Sequence, residues 1–347
     1  MGRNTQYNKQ TCDDDTKNIN PENLELMKDF LDYLKSVDRS STTIHGYEND
    51  LLIFFTYNYK NNHNKFFVDL SKREVMKYQS YLLSINNSPN RIRRLKSALS
   101  SLSIFIENIL DEEYPNFRNI INKIESPVKT PTRKKTIMNE QQVEDLFTYL
   151  VDKKQYEKAC ALALAIASGS RKSELTRFKV DYFKDENIIY GCMYETSEEI
   201  KTKGHGSLGK PLVKYTFVKE FKPYLDLWME QRKELGINNE DLFVVKDDTT
   251  GEWNPITIFT LNSWAVTFSR VLGIPFYWHS CRHLWTTNLK KKNLPDDIIV
   301  KLQGWSPESG SAMIAIYNDA DITDSFGDFF DENGVKDNLQ KNTLSNL

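Results

Sequence analysis

Cysteine is scarce in this chain: four residues in 347, and no two of them stand at a CxxC spacing. A disulfide framework and a paired-thiolate metal site are therefore both poorly supported, and free thiols in a reducing compartment are expected. No apolar run approaches the roughly 20 residues that a membrane helix needs. The opening segment "MGRNTQYNKQTCDDDTKN" has no apolar signal core, so no secretion signal is expected. Strong net charge is also missing. The formal total is −2, which does not by itself announce a polyanionic partner. Histidine is also scarce, with five in all.

The near-neutral total conceals an uneven distribution. Residues 318–347 carry seven acids (Asp319, Asp321, Asp324, Asp328, Asp331, Glu332, Asp337) against two lysines, a local net of −5 that leaves +3 elsewhere. The cations gather in "RIRRLK" (Arg91, Arg93, Arg94, Lys96), "KTPTRKK" (Arg133, Lys134, Lys135), "KTKGHGSLGK" (201–210) and "KKK" (Lys290, Lys291, Lys292). Local basic faces govern phosphate binding more than the whole-chain sum. Taken alone, any one such cluster reads rather as a solvated helix face.

At 39% hydrophobic and 27% charged the chain has the composition of a globular protein, and its length suits two domains. Residues 1–20 are polar and read as disordered. From Pro21 the apolar spacing turns helical. Leu24, Met27, Leu31 and Leu34, with Phe30 beside them, form one stripe, and Ile44, Tyr47, Leu51, Phe54 and Phe55 a second. Ser71 and Glu74 have the spacing of a capping box. Ile92, Leu95, Leu99, Leu102 and Ile106 line a further helix. Residues 21–125 thus read as a compact four- or five-helix domain. Residues 126–136 hold two prolines and several cations, as an extended linker would.

Residues 137–317 mix the two periods. "NEQQVEDLFTYLV" and the largely apolar "YEKACALALAIASG" read as helices, the second buried. "NIIYGCMYE" and "LVKYTFV" read as strands, with Gly204, Gly206 and Gly209 in the turn region between them. Helices return at 220–235, 255–272, from about Ser280, at "PDDIIVKLQGW" ending on Gly304, and at "SGSAMIAIYND". "PESG" reads as a turn before the last of these.

The chemistry concentrates in "HSCRH", His279 to His283. Two histidines four apart share a helix face, but Arg282 would lie beside the metal, no acid occupies the positions an HExxH site uses, and no second Cys/His cluster exists. A phosphodiester transition state fits better. It gathers negative charge on non-bridging oxygens, which guanidinium forks bind bidentately and without titrating. Such a site calls for a second arginine, a lysine and a nucleophile.

"SGSRKSEL" (168–175), "HSCRHLWTT" (279–287), "LQGW" (302–305) and the tyrosine of "IAIYND", in that order, resemble the motifs of the tyrosine recombinase (phage integrase) family. The helical region with "TIHGYENDLLIFF" and "NRIRRLKSALSSL" resembles that family's core-binding domain, so the likeness covers about residues 20–347. It implies a mainly α fold with a small β-sheet: an all-helical core-binding domain (21–125) and an α+β catalytic domain (137–317) closing as a C-shaped clamp. It also implies a DNA strand-cleaving enzyme that works without metal, ATP or other cofactor. Tyr317 would be the nucleophile that forms a 3′-phosphotyrosyl intermediate. Arg171 and Arg282 would hold the phosphate, and Lys203 (with Lys201 as the other register) would be the general acid. His279 would bind phosphate or accept the tyrosine proton. Trp305, which can only donate, stands where many members have histidine. Glu174 would orient Arg171, and His283 would position its helix.

The Trp305–Tyr317 spacing of twelve residues is longer than the family's usual nine or so. Arg91, Arg93, Arg94, Lys96, Arg133, Lys134, Lys135, Lys290 and Lys291 would contact the DNA backbone. The implied partners are double-stranded DNA and further copies of the chain, a dimer on a site and a tetramer in synapsis, with room for accessory DNA-bending factors. No membrane is implied. The acidic tail 318–347 is expected to dock on a neighbouring copy, and a prokaryotic, viral or mobile-element cytoplasm is the expected setting. A type IB topoisomerase-like enzyme and a non-cleaving DNA-binding relative are the competing readings.

Overall fold

A computed structural model describes residues 13–128, 138–204, 206 and 209–319, and a short ladder at 330–331 and 334–335. Two compact units emerge. One holds residues 1–134 with 204–209, the other 135–203 with 210–347.

The first unit is helical: α1 (Asp13–Lys17), α2 (Pro21–Ser36), α3 (Ser41–Asn61), α4 (Lys72–Ser84) and α5 (Pro89–Ile109). Order begins earlier than the sequence suggests, because residues 13–17 are helical and Ile19 is buried. Each of the four long helices has a local start signal. Asn20, Ser40, Ser71 and Ser88 accept a backbone N–H of the first turn, and Ser71 with Glu74 completes the expected capping box. Ile92, Leu95, Leu99, Leu102 and Ile106 all face inward. On α2 the buried stripe runs through Leu26, Met27, Phe30 and Leu34, with Leu24 and Leu31 on its flank. The ring of Phe30 packs edge-on to Tyr47 at 5.6 Å.

The basic cluster of α5 has partners within its own unit. Arg91 and Arg94 both bind the buried carboxylate of Asp50, at 2.7 and 2.8 Å. Arg93 Nε donates to the carbonyl of Pro127, and Lys96 donates to the carbonyl of Ile124 and the hydroxyl of Ser126. These cations tie α5 to α3 and to the chain leaving the unit. Arg133, Lys134 and Lys135 lie outside the described residues.

The second unit surrounds α7 (Tyr156–Ser168), which is buried almost completely. Against it pack α6 (Glu140–Asp152), α9 (Val218–Glu234) and α11 (Trp278–Lys291); α10 (Ile258–Leu272) packs against α6. The small sheets are antiparallel. β1 (Ile188–Ile189), β2 (Met193–Glu195) and β5 (Tyr215–Phe217) form one, and β3 (Ile200–Thr202) pairs with β4 (Lys210–Leu212) across the glycine-bearing turn. A third pairs β6 (Val244–Lys246) with β7 (Trp253–Pro255). The chain continues through α8 (Lys172–Leu175), α12 (Asp296–Gln303) and α13 (Pro307–Tyr317). "PESG" is therefore the first turn of α13 rather than a turn before it: proline at the first helical position and an N-cap serine start the helix early. α11 likewise begins at Trp278, two residues before the expected Ser280. In the acidic tail the described part is residues 318–319 and a two-residue ladder, β8 (Phe330–Asp331) with β9 (Gly334–Val335).

No helix among the described residues is long and apolar enough to cross a membrane.

The C-terminus of α7 is the pivot of this unit. A helix end leaves its last carbonyls without intrahelical partners. Here Ala167, Ser168 and Gly169 offer theirs to Trp285 Nε1, Gln303 Nε2 and Arg282 Nη1, at 3.2, 3.4 and 3.0 Å. Gly169 takes a left-handed conformation (φ 60°) that ends the helix. A Cβ there would lie 2.2 Å from Gln303 Nε2 and 2.9 Å from the Trp285 ring. Gly169→Ala should cost about 2–5 kcal/mol from backbone strain and overpacking together, read as a drop in stability in denaturant titration. A loss under about 1 kcal/mol would contradict a tightly packed junction at Gly169.

Candidate active site

Arg282 is fully buried, with no exposed surface. The carbonyl of Gly169, at the negative end of the α7 dipole, accepts from Nη1. Nε and Nη2 have no hydrogen-bond partner among the described residues. Aromatic faces flank the guanidinium, with Trp305 and Tyr317 centroids 5.1 and 5.3 Å away. Burial, then the nearby Arg171, pushes its pKa down to about 10, and it remains charged at neutral pH.

Arg171 caps α8. Its backbone N–H and guanidinium both bind Glu174, at 3.0 and 2.9 Å. Glu174 is wholly buried and also meets Lys214 Nζ at 3.3 Å. Burial alone would raise its pKa. Lys214, then Arg171, outweigh that and hold the carboxyl below its ordinary value. Glu174 thus holds the backbone N–H and the guanidinium of Arg171 together.

Tyr317 closes α13. Its hydroxyl lies 3.1 Å from His279 Nε2. Trp305 stacks on the tyrosine ring at 5.4 Å and 17°, and Trp285, Leu289, Ile299 and Ile314 complete the apolar seat. The buried Trp305 Nε1 has no acceptor among the described residues. With Nε and Nη2 of Arg282 and Nζ of Lys214, that makes four buried donors of this group without a hydrogen-bond partner among the described residues. Buried donors are ordinarily satisfied, so their grouping marks a place for an acceptor-rich, anionic ligand.

His279 keeps part of its ring at the surface while Nε2 faces the tyrosine. Partial burial, then the charges of His283, Arg282 and Arg171, lowers its pKa to about 4. A neutral imidazole can accept the phenolic proton. His283 Nδ1 pairs with Asp319 Oδ2 at 2.5 Å. Asp319 N donates to Thr287 Oγ1, which in turn meets the carbonyl of Tyr317 at 3.4 Å. His283 therefore ties α11 to the chain just beyond Tyr317. A cavity of about 380 Å³ opens beside Arg171, His279, Asn262 and Trp278.

Arg171, Glu174, His279, Arg282, His283, Trp305 and Tyr317 therefore converge. Lys203 is exposed at the end of β3, and among the described residues no contact joins it to this group. Lys290 is engaged by Asp296 at 2.5 Å, and Lys291 is exposed. Two members escaped the sequence reading: Lys214 and Asp319. Lys214 alternates with the buried Thr216 along "LVKYTFV", and that strand period was the available signal. Asp319 was counted only as one acid of the tail.

The chain belongs to the phage integrase family, whose model matches residues 136–323. Members of this family cleave DNA and rejoin it by transesterification. A related protein of Bacillus subtilis (strain 168), the SPbeta prophage-derived recombinase-like protein YomM, is 30% identical over 231 residues, 66% of this chain and 67% of that one. Among solved structures, the XerH site-specific recombinase bound to palindromic difH substrate superposes with a TM-score of 0.61 at 17% identity, over 83% of this chain and 78% of that one. The Tn1549 transposon integrase in complex with circular intermediate DNA gives 0.61 at 14%, over 87% and 98%. A lambda integrase tetramer bound to a Holliday junction gives 0.61 at 15%, over 85% and 76%. At these identities the structural likeness speaks for the fold.

The depressed His279 pKa has a direct consequence. A base whose folded pKa falls below its unfolded value (about 6.5) is neutral in the fold while the unfolded chain takes up a proton. Its contribution to stability is present above that unfolded value and is lost as pH falls towards about 4. NMR titration of the DNA-free protein should show the His279 ring neutral at pH 6, with its midpoint below that. A midpoint at or above 6.5 would contradict the electrostatics of the site.

Proposed function

We propose that this protein is a site-specific DNA recombinase that breaks and rejoins duplex DNA through a 3′-phosphotyrosyl intermediate at Tyr317. The observation that carries the reading is the tyrosine hydroxyl 3.1 Å from His279 Nε2, beside a buried arginine with two unused donors. In this reading Tyr317 Oη attacks the scissile phosphorus while His279 accepts its proton. The P–O5′ bond breaks as the P–O(Tyr) bond forms. Arg171, Arg282 and the Trp305 indole N–H bind the non-bridging oxygens, where the transition state gathers charge. Lys203, which a bound duplex would bring to the leaving 5′-oxygen, supplies its proton. The phosphodiester energy is kept in the tyrosyl ester, so a 5′-hydroxyl can reverse the step, and the scheme assigns no role to metal or ATP.

The relatives described above include recombinases bound to DNA and a tetramer on a junction. By analogy this chain is assigned a duplex substrate and assembly as a dimer on a site and a tetramer in synapsis. The helical unit is assigned the role of a core-binding domain, and a cytoplasmic, DNA-associated setting follows from the substrate. Arg91 and Arg94 already bind Asp50. Their contribution to phosphate contacts would come from the donors that Asp50 leaves free, and Lys291 is the better-exposed candidate.

The decisive experiment incubates the protein with sheared DNA of its source genome, denatures it, and sequences the DNA that stays covalently attached. Wild type should yield one recurring sequence joined through its 3′-phosphate to Tyr317, and Tyr317→Phe none. Arg282→Ala should slow adduct formation by about 100-fold or more. Persistent adducts in Tyr317→Phe would displace Tyr317 as nucleophile. Efficient relaxation of plasmids lacking that sequence would favour the topoisomerase-like alternative.

The acidic tail is assigned to a neighbouring copy, since like charge keeps it off DNA. Deleting residues 325–347 should leave cleavage by single copies intact while reducing synapsis. Unchanged synapsis would remove the tail from the assembly.

A further inference from the structure

Among the described residues, Lys214 is a buried cation of the second unit's site that the mechanism above leaves unused. It sits between β4 and β5, and both of its backbone groups are fixed by Thr196: Thr196 N donates to its carbonyl at 3.0 Å, and Lys214 N donates to Thr196 Oγ1 at 3.0 Å. Its side chain is 1% exposed and ends 3.3 Å from Glu174 Oε2. Burying an ammonium so completely is costly. Burial lowers its pKa; Glu174 opposes that shift, while Arg282 and Arg171 add to it. A neutral side chain of similar length would pack there without the penalty, so the charge itself requires an explanation.

The local charge balance supplies one. Arg171, Arg282 and Lys214 surround a single carboxylate, Glu174, leaving a surplus of two positive charges in a poorly screened setting. Without Lys214, Glu174 would be neutralised by Arg171 alone, and one of the two phosphate-binding arginines would be discharged internally. We infer that Lys214 is a positioning residue. It counters the charge of Glu174, so that Glu174 can orient Arg171 while Arg171 and Arg282 both face the phosphate undischarged. The inference deepens the recombinase reading and rests on it for the identity of the anion.

Inorganic phosphate is the probe, titrated into DNA-free protein with nitrogen-15-labelled arginine, with the side-chain resonances of Arg171 and Arg282 reporting occupancy. Lys214→Met should raise the half-saturating phosphate concentration about tenfold or more. The double variant Lys214→Met/Glu174→Gln restores the surplus of two charges and should return to within about threefold of wild type. Glu174→Gln alone should bind at least as tightly as wild type. A packing role would leave the double variant no better than Lys214→Met, and that result overturns the inference, as does a Lys214→Met protein that binds phosphate normally. If Lys214→Met does not fold, the double variant decides, because it buries no unpaired charge: phosphate binding tenfold weaker than wild type rejects the role. Wild type that binds no phosphate at these arginines also rejects it. No strand cleavage enters this titration. The predicted order without any DNA adduct would sink the recombinase reading and leave the role of Lys214 standing.

Discussion

A guanidinium with no exposed surface has to be held by something, and the second unit is organised around holding Arg282. Its anchor is the end of a helix. The terminal carbonyls of α7 are orphans by geometry, and three side chains from two other helices satisfy them. One bond, from Nη1 to Gly169, fixes the depth of the arginine and leaves the rest of the fork unspent. The glycine follows from this arrangement, since only a left-handed turn without a Cβ lets Gln303 and the Trp285 ring approach so closely.

Tyr317 is held in a similar way, by packing together with the His279 and Thr287 contacts. Trp305 lies flat against its ring, and a small apolar cluster holds both. Trp305 has no lone pair to offer, so the phenolic proton has one acceptor at hand, the imidazole of His279. In the proposed mechanism two jobs that one histidine could share are divided between residues with different capacities: the tryptophan would donate, the histidine accept. The twelve-residue gap to the tyrosine is absorbed by starting α13 at Pro307, so the extra length becomes a turn of helix and not a slack loop.

Much of this was legible in the sequence. Helices of the first unit are declared by capping serines and by apolar residues at a 3.6 period, and the site residues by motif order. What stayed hidden depends on contacts between elements distant in the chain. Arg91 and Arg94 look like a phosphate-binding cluster until the fold brings Asp50 to them, 41 and 44 positions away. Lys214 reads as an ordinary strand lysine because the carboxylate it answers lies forty residues earlier. Asp319 belongs by composition to an acidic tail, and only tertiary contact with His283 separates it from its neighbours. A lone charge in a sequence does not say whether its partner is solvent, ligand or a buried counterion.

The short link between Tyr317 and Asp319, pinned to Thr287 and His283 of α11, has a consequence for any assembly of several copies. Tyr317 reaches His279 of its own chain. In the reading proposed above, each copy would bring its own tyrosine, histidine and buried arginine to one centre. A copy lacking its tyrosine and a copy lacking its buried arginine would then not complement one another, and mixing them would subtract activity without creating hybrid centres.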